Sequence, residues 1–161
     1  MKLRASLISL LKLQPKESSM DPRFIQFINE KIKTKVDYDG YYGAQCVDLY
    51  RQYCKDMYGI TTLEMLGDGG ARDIYLKYDQ FPNEKKYFIQ LDAKNHIYAK
   101  TGDIAIWDAT PTNPYGHVAI VVDDQLSKIL VLEQDGFKQD GAKLALRDKE
   151  NLLGYLTRYD A

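Results

Sequence analysis

The segment DYDGYYGAQCVDLYRQYC, from Asp37 to Cys54, joins a loop rich in aspartate, glycine and tyrosine to a helical pattern. The pattern begins near Gln45 and ends at Gly59, a residue type that commonly follows the last turn of a helix. Cys46 therefore stands at a helix start, where unpaired N–H groups and the helix dipole stabilise a thiolate. Because negatively charged aspartates disfavour a nearby thiolate, we expect the preceding aspartates to bind a cation and the cysteine to take part in a reaction.

The elements on either side of this segment predict the fold class. DPRFIQFINEKIKTK predicts a helix with Asp21 as N-cap and Pro22 at its first position. Between Ile60 and Lys100 the pattern is weak, and GDGGA (67–71) and YDQFPNEKK (78–86) indicate a turn and a loop. The later runs GDIAIWD, GHVAIVVDD, KILVLEQDG and LLGYLTRY indicate short strands. The sequence thus predicts an α+β fold, with N-terminal helices packed on an antiparallel sheet.

Length and charge limit the classes of protein. The chain has 161 residues, which suits one domain, and its net charge of -1 gives no footprint for nucleic acid. No apolar run approaches the roughly 20 residues of a membrane span. The first 14 residues mimic a signal peptide, but serines and a lysine interrupt their apolar run, and no cleavage site follows. We predict an N-terminal extension or linker at 1–19 and a catalytic domain at 20–161.

The chain has two cysteines, Cys46 and Cys54. Eight residues apart on a helix, they would lie roughly 12 Å apart along its axis, too far for a disulfide. We expect two free thiols, with Cys54 packed among tyrosines inside the helix. A single cysteine is most often a small buried residue, so Cys46 needs partners to qualify as a nucleophile.

A nucleophilic cysteine needs a base, and the two histidines differ in context. His96 lies in the polar stretch AKNHIYAK, whereas His117 follows Gly116 and begins an apolar strand. A hairpin of GHVAIVV and KILVLEQ would bring Glu133 close to His117, where a carboxylate fixes the imidazole tautomer. A structural histidine and an ordinary acidic strand end are the alternatives. The order Cys, His, Glu is the papain-like layout, in which the Gln45 amide and the Cys46 N–H would bind an oxyanion.

The chain resembles the CHAP domain, the cysteine- and histidine-dependent amidohydrolase/peptidase family of bacteriophage lysins and bacterial autolysins. The resemblance rests on YYGAQCVDLYRQY, TGDIAIWD, YGHVAIVVD, LEQDG and LLGYLTRY, between about Phe24 and Tyr159. It implies a papain-like (NlpC-type) fold, with Cys46 as nucleophile, His117 as general base and Glu133 as the orienting carboxylate.

Asp135 departs from the family pattern, because many members have asparagine two residues after the glutamate. Either Asp135 adds an anion that favours the imidazolium form of the histidine, or it points to solvent and has no role.

The loop before the cysteine also resembles the calcium loop of a subset of phage CHAP domains. Its oxygens would come from the side chains of Asp37, Asp39 and Asp48 and from the backbone of Tyr41 and Gly43. Alternating ligands around a glycine bend are typical of an EF-hand-like loop, although no glutamate stands at the twelfth position. A structural Ca²⁺ would neutralise the aspartates and hold the loop that leads into the cysteine. The alternative is an ordinary Asp/Gly turn with an N-cap.

The resemblance implies a peptidoglycan hydrolase that cleaves an amide bond of the cell-wall peptide through a cysteine thioester, with no organic cofactor. It would be an endopeptidase or an N-acetylmuramoyl-L-alanine amidase at the bacterial cell wall, virion-associated or released at host lysis. Peptidoglycan is the expected partner, beside other virion or lysin modules, with no nucleic acid and no membrane. Two other hypotheses remain: a different papain-like acyl transfer, such as deamidation or transglutamination, and a non-catalytic virion structural module.

Overall fold

Two helices precede the sheet in the computed structural model, which describes residues 20–62, 69–96 and 98–159. Helix α1 spans Pro22–Lys31, and Asp21 caps it by accepting the Arg23 backbone N–H at 2.8 Å. Helix α2 spans Cys46–Tyr58 and ends at Gly59, whose φ of 68° favours glycine. Both helices confirm the prediction. The proposed extension at 1–19 lies outside the described residues.

Within the described residues, six antiparallel strands form one sheet with the order β1-β6-β2-β3-β4-β5. The strands are β1 Phe88–Asp92, β2 Ile104–Trp107, β3 His117–Asp124, β4 Lys128–Glu133, β5 Lys143–Asp148 and β6 Leu152–Arg158. Strands β2, β3, β4 and β6 confirm the four predicted runs, and the α+β prediction is confirmed with them.

Neither of the edge strands, β1 and β5, was predicted from the sequence. Edge strands pair on one side only, and the residues of β5 are all half-buried or exposed, so neither carries a continuous apolar pattern. The prediction of a loop at 78–86 is also wrong. Helix α3 spans Asp73–Leu76. The segment 78–86 follows it and contains a 3₁₀ turn at Tyr78–Gln80 and most of helix α4, which spans Pro82–Tyr87. Phe81, fully buried between the 3₁₀ turn and α4, anchors this segment.

The main core lies between the helices and one face of the sheet. The Tyr53 ring of α2 meets the rings of Phe24 and Phe27 on α1 edge-to-face, at 5.6 and 5.4 Å. Cys54 is fully buried in this core, and both cysteines are free thiols, as predicted. The largest fully buried side chains here are Ile28, Leu49, Tyr50, Tyr53, Ile74, Phe88, Ile104, Ile106 and Ile120.

A smaller apolar cluster covers the opposite face of the sheet around Trp107 and Tyr155. Strand β3, which contacts α2, is therefore buried along its whole length. Burial on both faces holds His117, its first residue, in a fixed place beside the start of α2. None of the helices within the described residues is both long and apolar enough to cross a membrane.

Candidate active site

The loop that leads into α2 is held by side chains from two directions. Asp48 accepts the Gln45 backbone N–H at 2.9 Å and so caps the helix at its first turn. Gln134, fully buried, donates its side-chain amide to the carbonyls of Val36 (2.7 Å) and Gln45 (2.8 Å). Its Oε1 accepts the Val36 N–H at 2.8 Å. These contacts fix the position of Cys46, the first residue of α2.

His117 lies between a thiol and a carboxylate. Its Nε2 is 3.2 Å from Oε1 of Glu133, which confirms the contact expected from the β3–β4 hairpin. The Cys46 side chain also hydrogen-bonds the imidazole. The structure thus brings the predicted nucleophile, base and orienting carboxylate into one hydrogen-bonded chain.

The pKa values of His117 and Glu133 indicate which of these two groups are charged at neutral pH. Burial lowers the pKa of His117, but its hydrogen bonds with Cys46 and Glu133 outweigh burial and raise the pKa to about 9. Burial raises the pKa of Glu133, but hydrogen bonds from His117 and Arg147 outweigh it and lower the pKa to about 2. At neutral pH the carboxylate is therefore ionised and the imidazole is protonated.

These shifts predict how stability depends on pH. The raised His117 pKa contributes stability that is complete below its usual pKa of 6.5 and lost as the pH rises through about 9. The lowered Glu133 pKa contributes stability that is present above 4.5 and lost as the pH falls through about 2. We expect the unfolding free energy, measured with urea, to be greatest between pH 4.5 and 6.5. The alkaline decline should shrink in His117→Gln, and parallel pH curves for variant and parent would contradict this assignment.

Arg147 is a site residue that the sequence analysis missed. From β5 it donates through Nε to Oε1 of Glu133 and through Nη2 to Oε2, the latter at 3.2 Å. Its guanidinium lies 5.8 Å from the centroid of the Trp107 ring. No local motif signals this role: Arg147 pairs with Ile129, four residues along β4 from Glu133, so only the strand register brings it to the site.

Replacement of Arg147 by glutamine should therefore affect both Glu133 and His117. Glu133 loses a charge-assisted fork, and we expect about a tenfold fall in kcat/KM from the loss of one such hydrogen bond. The Arg147 charge also lowers the pKa of His117, so its removal should move the alkaline limb of the pH–rate profile upward. Arg23→Gln, on the exposed face of α1, is the matched control. An unchanged alkaline limb would contradict electrostatic coupling between Arg147 and His117.

Three of the five predicted metal ligands converge. Carboxylate oxygens of Asp37, Asp39 and Asp48 lie within 4.8 Å of one another. Burial is the main reason why the pKa of Asp48 is raised to about 6. The hydrogen bond from the Gln45 N–H lowers this pKa, and the negative charges of Asp39 and Asp37 raise it. Such mutual repulsion is what a bound cation relieves.

The other two predicted ligands, Tyr41 and Gly43, lie in the same loop, and their role as backbone ligands stays a prediction. The Tyr41 N–H donates to Oδ1 of Asp39 at 2.8 Å. Gly43 has φ of 74°, and a Cβ there would lie 2.6 Å from Oε1 of Gln139, whose amide also binds the Ala44 backbone. Gln139 is a second loop contact that the sequence analysis missed.

Gln45 and Asp135 line the same cleft of about 990 Å³ as Cys46 and His117. Oδ1 of Asp135 accepts the backbone N–H groups of Phe137 (2.8 Å) and Lys138 (3.2 Å), so this carboxylate oxygen caps the turn after β4. His96 is exposed, as predicted.

The family model of the CHAP domain matches residues 36–135, which is more than half of the chain and includes the thiol, the imidazole and the carboxylate. The chain belongs to the CHAP domain family. Endolysin PlyTW of Staphylococcus phage Twort is 31% identical over 124 residues, which cover 68% of this chain and 22% of that protein. A D-alanyl-L-alanine endopeptidase of Streptococcus phage B30 is 35% identical over 89 residues, which cover 55% of this chain and 18% of that protein. This CHAP domain chain therefore spans about a fifth of the length of the curated relatives it matches.

Solved structures agree with the fold. The endolysin LysIME-EF1 superposes with a TM-score of 0.60 at 18% identity, over 83% of this chain and 61% of that chain. Ly7917 superposes with a TM-score of 0.62 at 17% identity, over 82% of this chain and 59% of that chain. These similarities confirm the α+β papain-like fold of the CHAP domain.

Proposed function

We propose that this CHAP domain is a cysteine-dependent amidohydrolase/peptidase that cleaves an amide bond of peptidoglycan at the bacterial cell wall. The observation that carries the proposal is the hydrogen-bonded chain from Cys46 through His117 to Glu133 at the base of an open cleft. The choice of substrate is supported by its relatives, an endolysin and a D-alanyl-L-alanine endopeptidase, both from phages.

The geometry suits acyl transfer through a thioester. In the reactive thiolate–imidazolium pair the Cys46 proton is already on His117, and the thiolate sulfur attacks the carbonyl carbon of the scissile amide. The Cys46 backbone N–H and the Gln45 side-chain amide would bind the oxyanion. His117 then protonates the leaving amine, the C–N bond breaks and the thioester remains. Water attacks the thioester and gives a proton to His117, which releases the carboxylic acid and restores the thiolate–imidazolium pair.

We also propose that Asp37, Asp39 and Asp48 hold a structural Ca²⁺, with backbone oxygens of Tyr41 and Gly43. Hard carboxylate oxygens within 4.8 Å of one another fit the ligand preference of this ion. When bound, the ion supplies positive charge that offsets the three carboxylates. The residues themselves hold the loop: Asp37 accepts the Gly40 N–H at 2.9 Å, and Asp48 caps α2.

Asp39→Asn tests the calcium proposal, because asparagine keeps an acceptor for the Tyr41 N–H and removes the charge. We expect Ca²⁺ at a hundredfold excess over its dissociation constant to raise the parent melting temperature by about 5–10 °C. The variant should show no such shift. Asp79→Asn, whose side chain is 80% exposed and pairs with Lys85, is the matched control. Equal shifts in parent and Asp39→Asn would contradict the site.

The function is tested with purified Gram-positive cell walls, incubated with the protein in Ca²⁺ or in a chelator. We expect turbidity to fall in the presence of Ca²⁺, and mass analysis of the fragments should identify a new amine and a new carboxyl terminus. Intact walls, despite rapid alkylation of Cys46, would contradict peptidoglycan hydrolysis and favour another acyl transfer.

A further inference from the structure

Three separate loops share a short pattern in which an aromatic residue follows Asp or Asn by two positions. The segments are Asp39-Gly40-Tyr41, Asn113-Pro114-Tyr115 and Asp135-Gly136-Phe137. In each, the aromatic backbone N–H donates to Oδ1 of the Asp or Asn, at 2.8, 3.0 and 2.8 Å respectively. The same local turn therefore sets the backbone from which each aromatic side chain leaves its loop.

The three aromatic side chains lie at the mouth of one cleft. Tyr41, Tyr115 and Phe137 are 68%, 51% and 68% exposed, and all three line the cleft that contains Cys46 and His117. Scattered exposed apolar residues need no explanation, but a group of them around a reactive cleft marks a binding surface. We call these three residues the aromatic rim.

The chain at Tyr115 is held in place by contacts within the fold. The Tyr115 carbonyl accepts the Arg72 N–H at 3.0 Å, and Gly70 packs so closely that a Cβ there would lie 2.2 Å from Cβ of Tyr115. Tyr42, next to Tyr41 in the same loop, adds a further ring to the cleft lining, 88% exposed and with φ of 63°. A backbone that is already fixed reduces the conformational entropy lost on binding, which suits recognition.

We propose that the aromatic rim binds sugar rings of the peptidoglycan glycan strand and so positions the attached peptide over Cys46. The rim lines the same cleft as the thiol, so its occupant is the substrate segment that flanks the scissile amide. Its ring faces are uncharged, and they match the C–H faces of N-acetylated hexoses better than the charged groups of a stem peptide. This inference rests on the proposed function, because it names the part of the same substrate that the cleft recognises.

Binding is measured by calorimetry on the Cys46→Ala protein, which removes turnover. The probes are the tetramer of N-acetylglucosamine and a synthetic stem peptide without sugar. We expect the tetramer to bind, and Tyr115→Ala and Phe137→Ala each to weaken it about tenfold. Tyr98→Ala is the matched control, since Tyr98 is 60% exposed and is not among the residues that line the cleft. Asp135→Ala, which removes the turn acceptor, should weaken binding more than Asp135→Asn, which keeps Oδ1.

The outcomes separate this inference from the proposed function. Wall hydrolysis by the parent, together with stem-peptide binding and no tetramer binding, would overturn the rim as a sugar site and leave the hydrolase standing. Tetramer binding that Tyr115→Ala and Phe137→Ala leave unchanged, with melting temperatures equal to the parent, would also overturn it. Rim-dependent tetramer binding without wall hydrolysis would support the rim and contradict the enzyme.

Discussion

Cys46→Ala should abolish wall hydrolysis, with a loss of roughly 10³-fold or more in the rate of turbidity decrease. The reason is chemical, because alanine supplies no atom that can form the thioester. Cys46 is only half-buried and begins α2 without capping it, so the fold should survive its truncation. Clearing rate and melting temperature, measured on the same preparation, separate loss of chemistry from loss of structure.

The second cysteine provides the matched control. Cys54 is fully buried among the tyrosines of α2, so Cys54→Ala should lower the melting temperature and leave hydrolysis in place. Burial also raises the pKa of the Cys54 thiol, so alkylation of the folded protein should report on Cys46 alone. If Cys46→Ala cleared walls at the parent rate, another group would have to be the nucleophile.

His117→Gln should cost nearly as much as loss of the thiol, on the order of 10³-fold in kcat/KM. Glutamine occupies similar space but cannot take the proton of Cys46 and return it to the leaving amine. Two effects combine, because the variant also loses the imidazolium that stands between the sulfur and Glu133. Alkylation of Cys46 at neutral pH should slow in parallel with hydrolysis.

The other histidine separates this role from a general effect of losing an imidazole. His96 is exposed after β1, where its Nδ1 lies 3.2 Å from the Asp92 carbonyl. His96→Gln should retain the parent rate within about twofold, since exposed positions away from a site tolerate substitution. Comparable losses in His96→Gln and His117→Gln would contradict the role of His117 as the base.

Part of the site could be predicted from neighbouring residues alone. The start of α2 at Cys46 and its end at Gly59 depend on capping chemistry within a few positions. The contact between His117 and Glu133 follows from a hairpin, because two adjacent strands with a short connection leave few possible registers. Convergence of the three aspartates also depends on one loop and the helix that follows it.

The remaining contacts depend on elements far apart in the chain. Arg147 reaches Glu133 only through the pairing of β4 with β5, an edge strand whose pattern was too weak to predict. Gln134 closes the loop at Val36 across 98 positions of sequence, and nothing in the LEQDG segment distinguishes that glutamine from a surface residue.

The chain's local chemistry was enough to predict an α+β fold, the cysteine at a helix start and its imidazole and carboxylate partners, and the resemblance to the CHAP family implied that the fold is papain-like. Capping, strand periodicity and hairpin pairing all act over short separations, and a sequence displays them directly. The arginine fork on Glu133, the glutamine contacts of the loop that leads into α2 and the assembly of three loops into one aromatic rim were decided by tertiary structure. These features depend on strand order, register and close packing between distant segments, and a residue's own neighbours do not encode where such packing will place it.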